Sequence, residues 1–171
     1  MMIRERLIDA GLPTCASREY SEAIAESSRR RKLLMVYIHS DFHCASAFFA
    51  AHVLIDPEVI ALVGQHFLVW TALVSSPEGF RYFNDARGTL FPFVTVNCRT
   101  TGGDCLLQTL QGIMTARRFK EELLDVVAQN ASIVTRFRMF SDESKSRGEI
   151  RRERMEELDK STLAVENVQE L

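Results

Sequence analysis

Residues 33–48 read LLMVYIHSDFHCASAF, and the fold follows from how that stretch is parsed. Residues 33–38 are apolar at every position rather than at every second one, the pattern of a strand buried on both faces inside a sheet. A polar bend follows at His39-Ser40-Asp41, and then a small-residue and aromatic run that favours helix. A central strand feeding a helix through a short bend is therefore the seed of the fold.

Working outward, residues 67–74, FLVWTALV, are again uniformly apolar and β-rich. Two such strands joined by helical sequence imply a right-handed parallel crossover. Within it, Asp56-Pro57-Glu58 opens a second helix with a cap, a proline in the first turn and an early acid, and Gly64 is expected to stop that helix. Upstream, SEAIAESSRRRK predicts a short helix from Ser21 to about Arg31, with Ser21 or Ser17 as N-cap. Downstream, residues 77–86 predict a further helix, and FPFVTVNC a third strand beginning at Phe93. Thr101-Gly102-Gly103-Asp104 then forms the turn of a hairpin. Thr115 caps a last helix whose stripe is Phe119, Leu123 and Val127, with Leu124 beside it. A parallel crossover followed by a hairpin and a helix predicts an α/β chain of the thioredoxin-like fold, a central mixed sheet with flanking helices.

Three segments are expected: an N-terminal extension over 1–16, the thioredoxin-like domain over 17–134, and a charged C-terminal extension over 135–171, helical or disordered. The 171 residues hold 21 basic and 23 acidic side chains, a net charge of −2. That balance gives no electrostatic reason to bind nucleic acid. No apolar run approaches the roughly 20 residues of a membrane-spanning helix. The four cysteines, Cys15, Cys44, Cys98 and Cys105, form no CxxC, and the charged N-terminus does not read as a signal peptide. A cytoplasmic, reducing setting is the default.

In thioredoxins the redox pair lies where the central strand meets the next helix, because amides at a helix N-terminus stabilise a thiolate. Here that junction is Phe42-His43-Cys44-Ala45-Ser46. Aligning Phe42 with the aromatic residue that precedes the pair places His43 and Ser46 at the two cysteine positions, with Cys44 and Ala45 between them. Exchange needs an attacking thiolate and a second thiol to resolve the mixed disulfide, so no enzymatic activity and no cofactor are expected. Phe91-Pro92, before the third strand, sits where this fold carries a cis-proline.

Other groupings are weaker. His39, His43, Cys44 and His52 lack the paired short spacings of a zinc site, so no metal is expected. Cys98 and Cys105 flank the hairpin turn and permit a disulfide if their Cα atoms come within about 7 Å; in a reducing compartment they are expected as free thiols. Arg29, Arg30, Arg31 and Lys32 form the one concentrated basic patch. With Arg81 they are candidates for an anion or lipid headgroup, against the plainer reading of a solvated helix end.

Together, residues 33–39, 57–60 and 67–70, Pro77-Glu78-Gly79-Phe80-Arg81 and Phe91-Pro92-Phe93 resemble the UAS domain of UBX proteins of the FAS-associated factor type, closest to members anchored at the endoplasmic reticulum and lipid droplets. The collinear match covers about 20–129. The resemblance implies a non-catalytic adaptor domain in ubiquitin-dependent protein degradation, at the cytosolic face of those organelles. It also implies protein partners, an AAA+ ATPase complex reached through regions outside this chain, and binding of a long-chain unsaturated fatty acid. Two alternatives stay open: a structural subunit built on a redox-inactive thioredoxin fold, and a monothiol enzyme acting through Cys44.

Overall fold

The computed structural model describes residues 3–133; the charged segment 135–171 lies outside the described residues. Four strands form one sheet in the order β2-β1-β3-β4. β1 (Leu33–His39) is buried at all seven positions. It pairs in parallel with β2 (Phe67–Leu73), Leu33 facing Phe67 and His39 facing Leu73. On its other side it runs antiparallel to β3 (Phe93–Thr100), Leu34 facing Asn97 and Ile38 facing Phe93. β4 (Gly103–Gln111) returns antiparallel along β3, with a register shift between Val96 and Asn97. This is the mixed thioredoxin-like sheet expected from the apolar runs.

Among the described residues six helices complete the domain: α1 (Ile3–Asp9), α2 (Tyr20–Arg29), α3 (Cys44–His52), α4 (Pro57–His66), α5 (Pro77–Asp85) and α6 (Ala116–Gln129). On one face of the sheet Leu34, Val36, Ile38, Leu68, Trp70 and Phe93 pack with Ala23 and Ile24 of α2. On the other, Tyr37 meets Phe49 of α3 at a ring separation of 5.6 Å, and Phe49 meets Phe119 of α6 at 5.0 Å. Alternation along β1 thus feeds two cores.

Two local expectations are met by side-chain caps, at Asp56 and Thr115, and Ser76 supplies a third cap. Asp56 accepts hydrogen bonds from the Glu58 and Val59 amides, Ser76 from the Gly79 amide, and Thr115 from the Arg118 amide. Others are corrected. The N-cap of α2 is Glu19, not Ser17 or Ser21, and its side chain makes no capping bond. The Ser17 hydroxyl is committed one turn earlier, accepting from the Glu19 amide and donating to the Glu22 carboxylate. Gly64 does not stop α4, which runs to His66; a single helical glycine costs about 1 kcal/mol, less than the burial of Val59, Leu62 and Val63 returns. The buried stripe of α6 is Phe119, Leu123 and Val126, with Val127 half-buried and Leu124 exposed.

The segment before residue 17 contributes to this core. Leu7 and Leu12 are buried, and the Pro13 carbonyl and Cys15 amide bond the Val69 amide and carbonyl, both at 2.7 Å. Those bonds occupy the outer edge of β2, which would otherwise expose unpaired amides.

Two glycines predict substitutions of opposite sign. A Cβ on Gly79 would run into the Leu73 carbonyl, where α5 presses on the end of β2. Gly64 has open space around it within a helix. Urea unfolding should show Gly79→Ala destabilised by about 1–3 kcal/mol through overpacking, and Gly64→Ala stabilised by about 0.5–1 kcal/mol.

Candidate functional site: the thioredoxin window

The window is built where β1 ends. His39 is the last residue of β1 and Cys44 the first of α3. The intervening bend is closed by the His43 amide donating to the Ser40 carbonyl at 3.3 Å. His43 has extended backbone angles and serves as N-cap, its carbonyl accepting from the Ser46 amide at 2.9 Å. The side chains at the two cysteine positions are therefore an imidazole at the helix mouth and, three residues on, a hydroxyl within it. Ser46 is fully buried and its Oγ has no hydrogen-bond partner among the described residues. Ala45 is buried beside it, while Cys44 is exposed.

Across from the bend lies the loop before β3. The Phe91–Pro92 peptide bond is cis. The His43 ring lies 5.7 Å from that of Phe91, and Phe83 stacks on Phe91 at 5.0 Å with ring planes 7° apart. The loop is tied to the sheet at two points. The Pro92 carbonyl accepts from the Gly112 amide at 3.0 Å, and Gln111 Oε1 accepts from the Thr89 and Leu90 amides at 3.1 and 3.2 Å. Gln111 was not among the residues singled out in the sequence; a polar side chain at the end of a strand carries no signal of a partner twenty residues away.

Beneath the window Tyr37 and His39 form a buried polar pair. The Tyr37 hydroxyl lies 2.7 Å from His39 Nδ1 and donates to the Ser46 carbonyl at 3.1 Å. His39 Nε2 faces Asp41 Oδ1 at 3.5 Å. Burial pushes the Tyr37 phenol well above its ordinary range. It also holds His39 below the usual 6.5, against the opposing pull of Asp41 and with a smaller push from Arg6. His39 is thus a hydrogen-bonded strand-end residue, and among the described residues no three His, Cys, Asp or Glu side chains come together to hold a metal.

The basic candidates lie elsewhere. Arg29, Arg30, Arg31 and Lys32 precede β1 whereas the window follows it, and a seven-residue strand separates the two sites by roughly 20 Å. Arg30 pairs with Glu26 at 2.7 Å and Lys32 Nζ donates to the Gly64 carbonyl at 2.6 Å. Arg31 takes the left-handed turn that leads into β1, with φ of 57°. Arg81 is exposed on α5, so the structure brings His43, Cys44, Ala45, Ser46 and Pro92 together but does not join them to the basic cluster.

The profile of the family described as Fas-associated factor 1 matches residues 16–136. The chain belongs to that family. Among its relatives, the FAS-associated factor 2 of Rattus norvegicus is 27% identical over 124 residues, covering 72% of this chain and 36% of the relative. The plant UBX domain-containing protein 10 of Arabidopsis thaliana is 27% identical over 135 residues, covering 78% of this chain and 28% of the relative. The chain thus spans about a third of the length of the relatives it matches. Among solved structures, a thioredoxin from Thermus thermophilus superposes with a TM-score of 0.60 at 27% identity, over 67% of this chain and 86% of that one. A DsbH oxidoreductase superposes at 0.55 with 13% identity, over 68% of this chain and 87% of that one, a likeness of fold alone. The Pro77-Glu78-Gly79 run has physical reasons here. Pro77 starts α5, Glu78 accepts from the Tyr20 amide at 3.1 Å, and Gly79 makes room for the Leu73 carbonyl.

The depressed His39 basicity predicts a pH effect of definite sign. An unfolded histidine titrates near 6.5 and the folded one lower, so protons favour the unfolded chain. The contribution is complete above 6.5 and drains as pH falls through the lower folded value. The urea midpoint should therefore drop further between about pH 7.5 and 5 in the native chain than in His39→Gln. Parallel pH profiles for the two proteins would assign the loss to other groups.

Proposed function

We propose that this chain is a non-catalytic adaptor domain in ubiquitin-dependent protein degradation, holding a protein partner on the face formed by residues 42–46 and the loop before Pro92. Membership of the Fas-associated factor 1 family and the similarity to a plant UBX domain-containing protein support the adaptor role. The observation that carries the reading is the composition of the window. An imidazole and a sealed hydroxyl occupy the positions where thiol exchange needs two sulfurs, and the single thiol between them has no resolving partner in the bend.

The same face offers contacts. Phe42 is 92% exposed, Leu90 is exposed beside the cis-proline, and Phe91 is half-buried. Aromatic anchors on a rigid frame suit a protein partner, because little conformational freedom is lost when they dock. Recruitment of an AAA+ ATPase, and attachment at the cytosolic face of the endoplasmic reticulum or lipid droplets, would fall to regions of a longer protein. No single helix among the described residues is long and apolar enough to cross a membrane.

Two experiments test this. In a disulfide-reduction assay the purified chain should run at the buffer rate, and Cys44→Ser should leave it there; a faster rate lost in Cys44→Ser would replace the adaptor with a monothiol enzyme. A photo-reactive residue at position 42 should crosslink to a partner in cells, and the same residue at position 121, exposed on α6, should not.

A second reading, binding of a long-chain unsaturated fatty acid, is supported by a cavity of about 360 Å³ between α1, the end of β2 and the start of α5. That volume is at the small end of ligand pockets, ~300–1,000 Å³. Ile3, Ala72, Leu73 and Pro77 supply its apolar wall, and Arg18 is available for a carboxylate. Thr71 lines the same space, and its buried Oγ1 has no hydrogen-bond partner among the described residues. The backbone of Arg18 also accepts the Trp70 indole N–H at 3.0 Å, so occupancy should change Trp70 emission. Oleate below its micellar concentration should shift that emission in the native chain and less so in Arg18→Ala; an unchanged spectrum and size in the native chain would remove the lipid reading.

A further inference from the structure

Outside the window, two sulfurs do face each other. Cys98 of β3 and Cys105 of β4 are direct register partners across the antiparallel pair. Residues in that relation have Cα atoms about 4.5–5.5 Å apart and side chains on one face of the sheet. A disulfide spans about 4.4–6.8 Å between Cα atoms, so the pairing brings the two residues within bridging range. Both are free thiols in the structure.

The register that holds them is pinned on the turn side. Arg99 and Asp104, the next pair, are joined by two contacts at 2.7 and 3.3 Å. Beyond them the Thr100 hydroxyl donates to the Gly103 carbonyl at 2.9 Å. Slippage of β4 along β3 would break both.

The two thiols are unequal, as an exchange couple requires. Cys105 is exposed and Cys98 is 1% exposed. Burial, and then the nearby Cys105 thiol, push Cys98 up to about 11. The other two cysteines lack these features. Cys15 is buried, pushed up to about 12, and Cys44 opens α3 after a bend with no second sulfur.

We propose that Cys98 and Cys105 form a dithiol modification site on the β3–β4 hairpin, oxidised reversibly to an intramolecular disulfide by a low-molecular-weight disulfide of the glutathione class. The Cys105 thiolate attacks one sulfur of oxidised glutathione, forming a mixed disulfide and releasing one glutathione thiolate. The Cys98 thiol gives its proton to that thiolate or to water, and its sulfur then attacks the Cys105 sulfur and expels the second glutathione. The protein thiols lose two protons and two electrons in total, and the oxidant is recovered as two thiols. Proximity offsets the small thiolate fraction of Cys98, since the second step is intramolecular. Cys44 can reach only the mixed disulfide. Closure would staple the exposed edge strand of the sheet to its neighbour.

The test uses the full chain, reduced, desalted and incubated with oxidised and reduced glutathione in varied ratio, followed by alkylation and peptide mapping without reduction. Expected in the native chain are a linked Cys98–Cys105 peptide lighter by about 2 Da than the reduced pair, glutathione on Cys44 alone, and reversal by excess reduced glutathione. Cys98→Ser should halt with one glutathione on Cys105, and Cys105→Ser should leave Cys98 reduced; the second variant changes only an exposed side chain, so its folding is not at issue. The proposal is overturned if native Cys105 stops at the mixed disulfide, stays free while Cys44 is modified, or links two chains.

Discussion

Seven consecutive residues of β1 are out of contact with water on both faces, and the rest of the architecture can be read as the means of keeping them so. A strand of this kind is stable only if hydrogen-bonded neighbours flank it and helices cover it above and below, since each exposed large apolar side chain would forfeit about 1.5–3 kcal/mol. β2 and β3 supply the flanks, α2 covers one face, and Phe49 and Phe119 bring α3 and α6 onto the other. Because β1 is fixed on all sides, the bend at its end is fixed too. The placement of His43 opposite Phe91 is thus a consequence of core packing.

That dependence explains how the window can keep its form with different chemistry. The helix mouth is positioned by backbone bonds from the Ser46 and Ala47 amides to the His43 carbonyl. The proline loop is positioned by Gln111 and the Gly112 amide. None of these contacts uses a sulfur. Ser46 shows the cost of the exchange: a hydroxyl buried without a partner among the described residues, an arrangement typically unfavourable by about 1–3 kcal/mol. A small apolar residue there would avoid that penalty, so Ser46 is a local conflict that the fold tolerates.

Legibility in the sequence divided along the range of the interaction. The central strand, the parallel crossover, the hairpin and two caps were readable because each is encoded within a few residues: uniform apolar runs, Asp56-Pro57, Thr115 ahead of its helix. What the local pattern could not disclose involved distant partners. Ser17 looked like a cap, but Glu22 and the Glu19 amide claim it. Gly64 looked like a stop, but buried valines carry α4 through it. Residues 1–16 looked like an extension, yet 13–15 bond the edge of β2 and Leu7 is buried. In the site, residues 42–46 and Pro92 were locatable from strand and helix order, whereas Gln111 and the Tyr37–His39 pair depend on contacts that only the folded chain defines.

The distribution of thiols bears on the same division between scaffold and chemistry. A thiolate at the mouth of α3 would be stabilised by the helix amides, yet the residue at the N-cap is His43 and the sulfur one position on, at Cys44, has no resolving partner in the bend. On the hairpin no helix terminus assists Cys98, and burial disfavours its thiolate, but strand pairing supplies the partner that the window lacks. Reactivity toward disulfides needs both ionisation and a resolving neighbour. This chain places the helix terminus at one site and the neighbour at another, so neither site combines the two. Slow, stoichiometric oxidation at the hairpin is compatible with that geometry, and it would alter the sheet edge while leaving the aromatic face beside the proline loop in place.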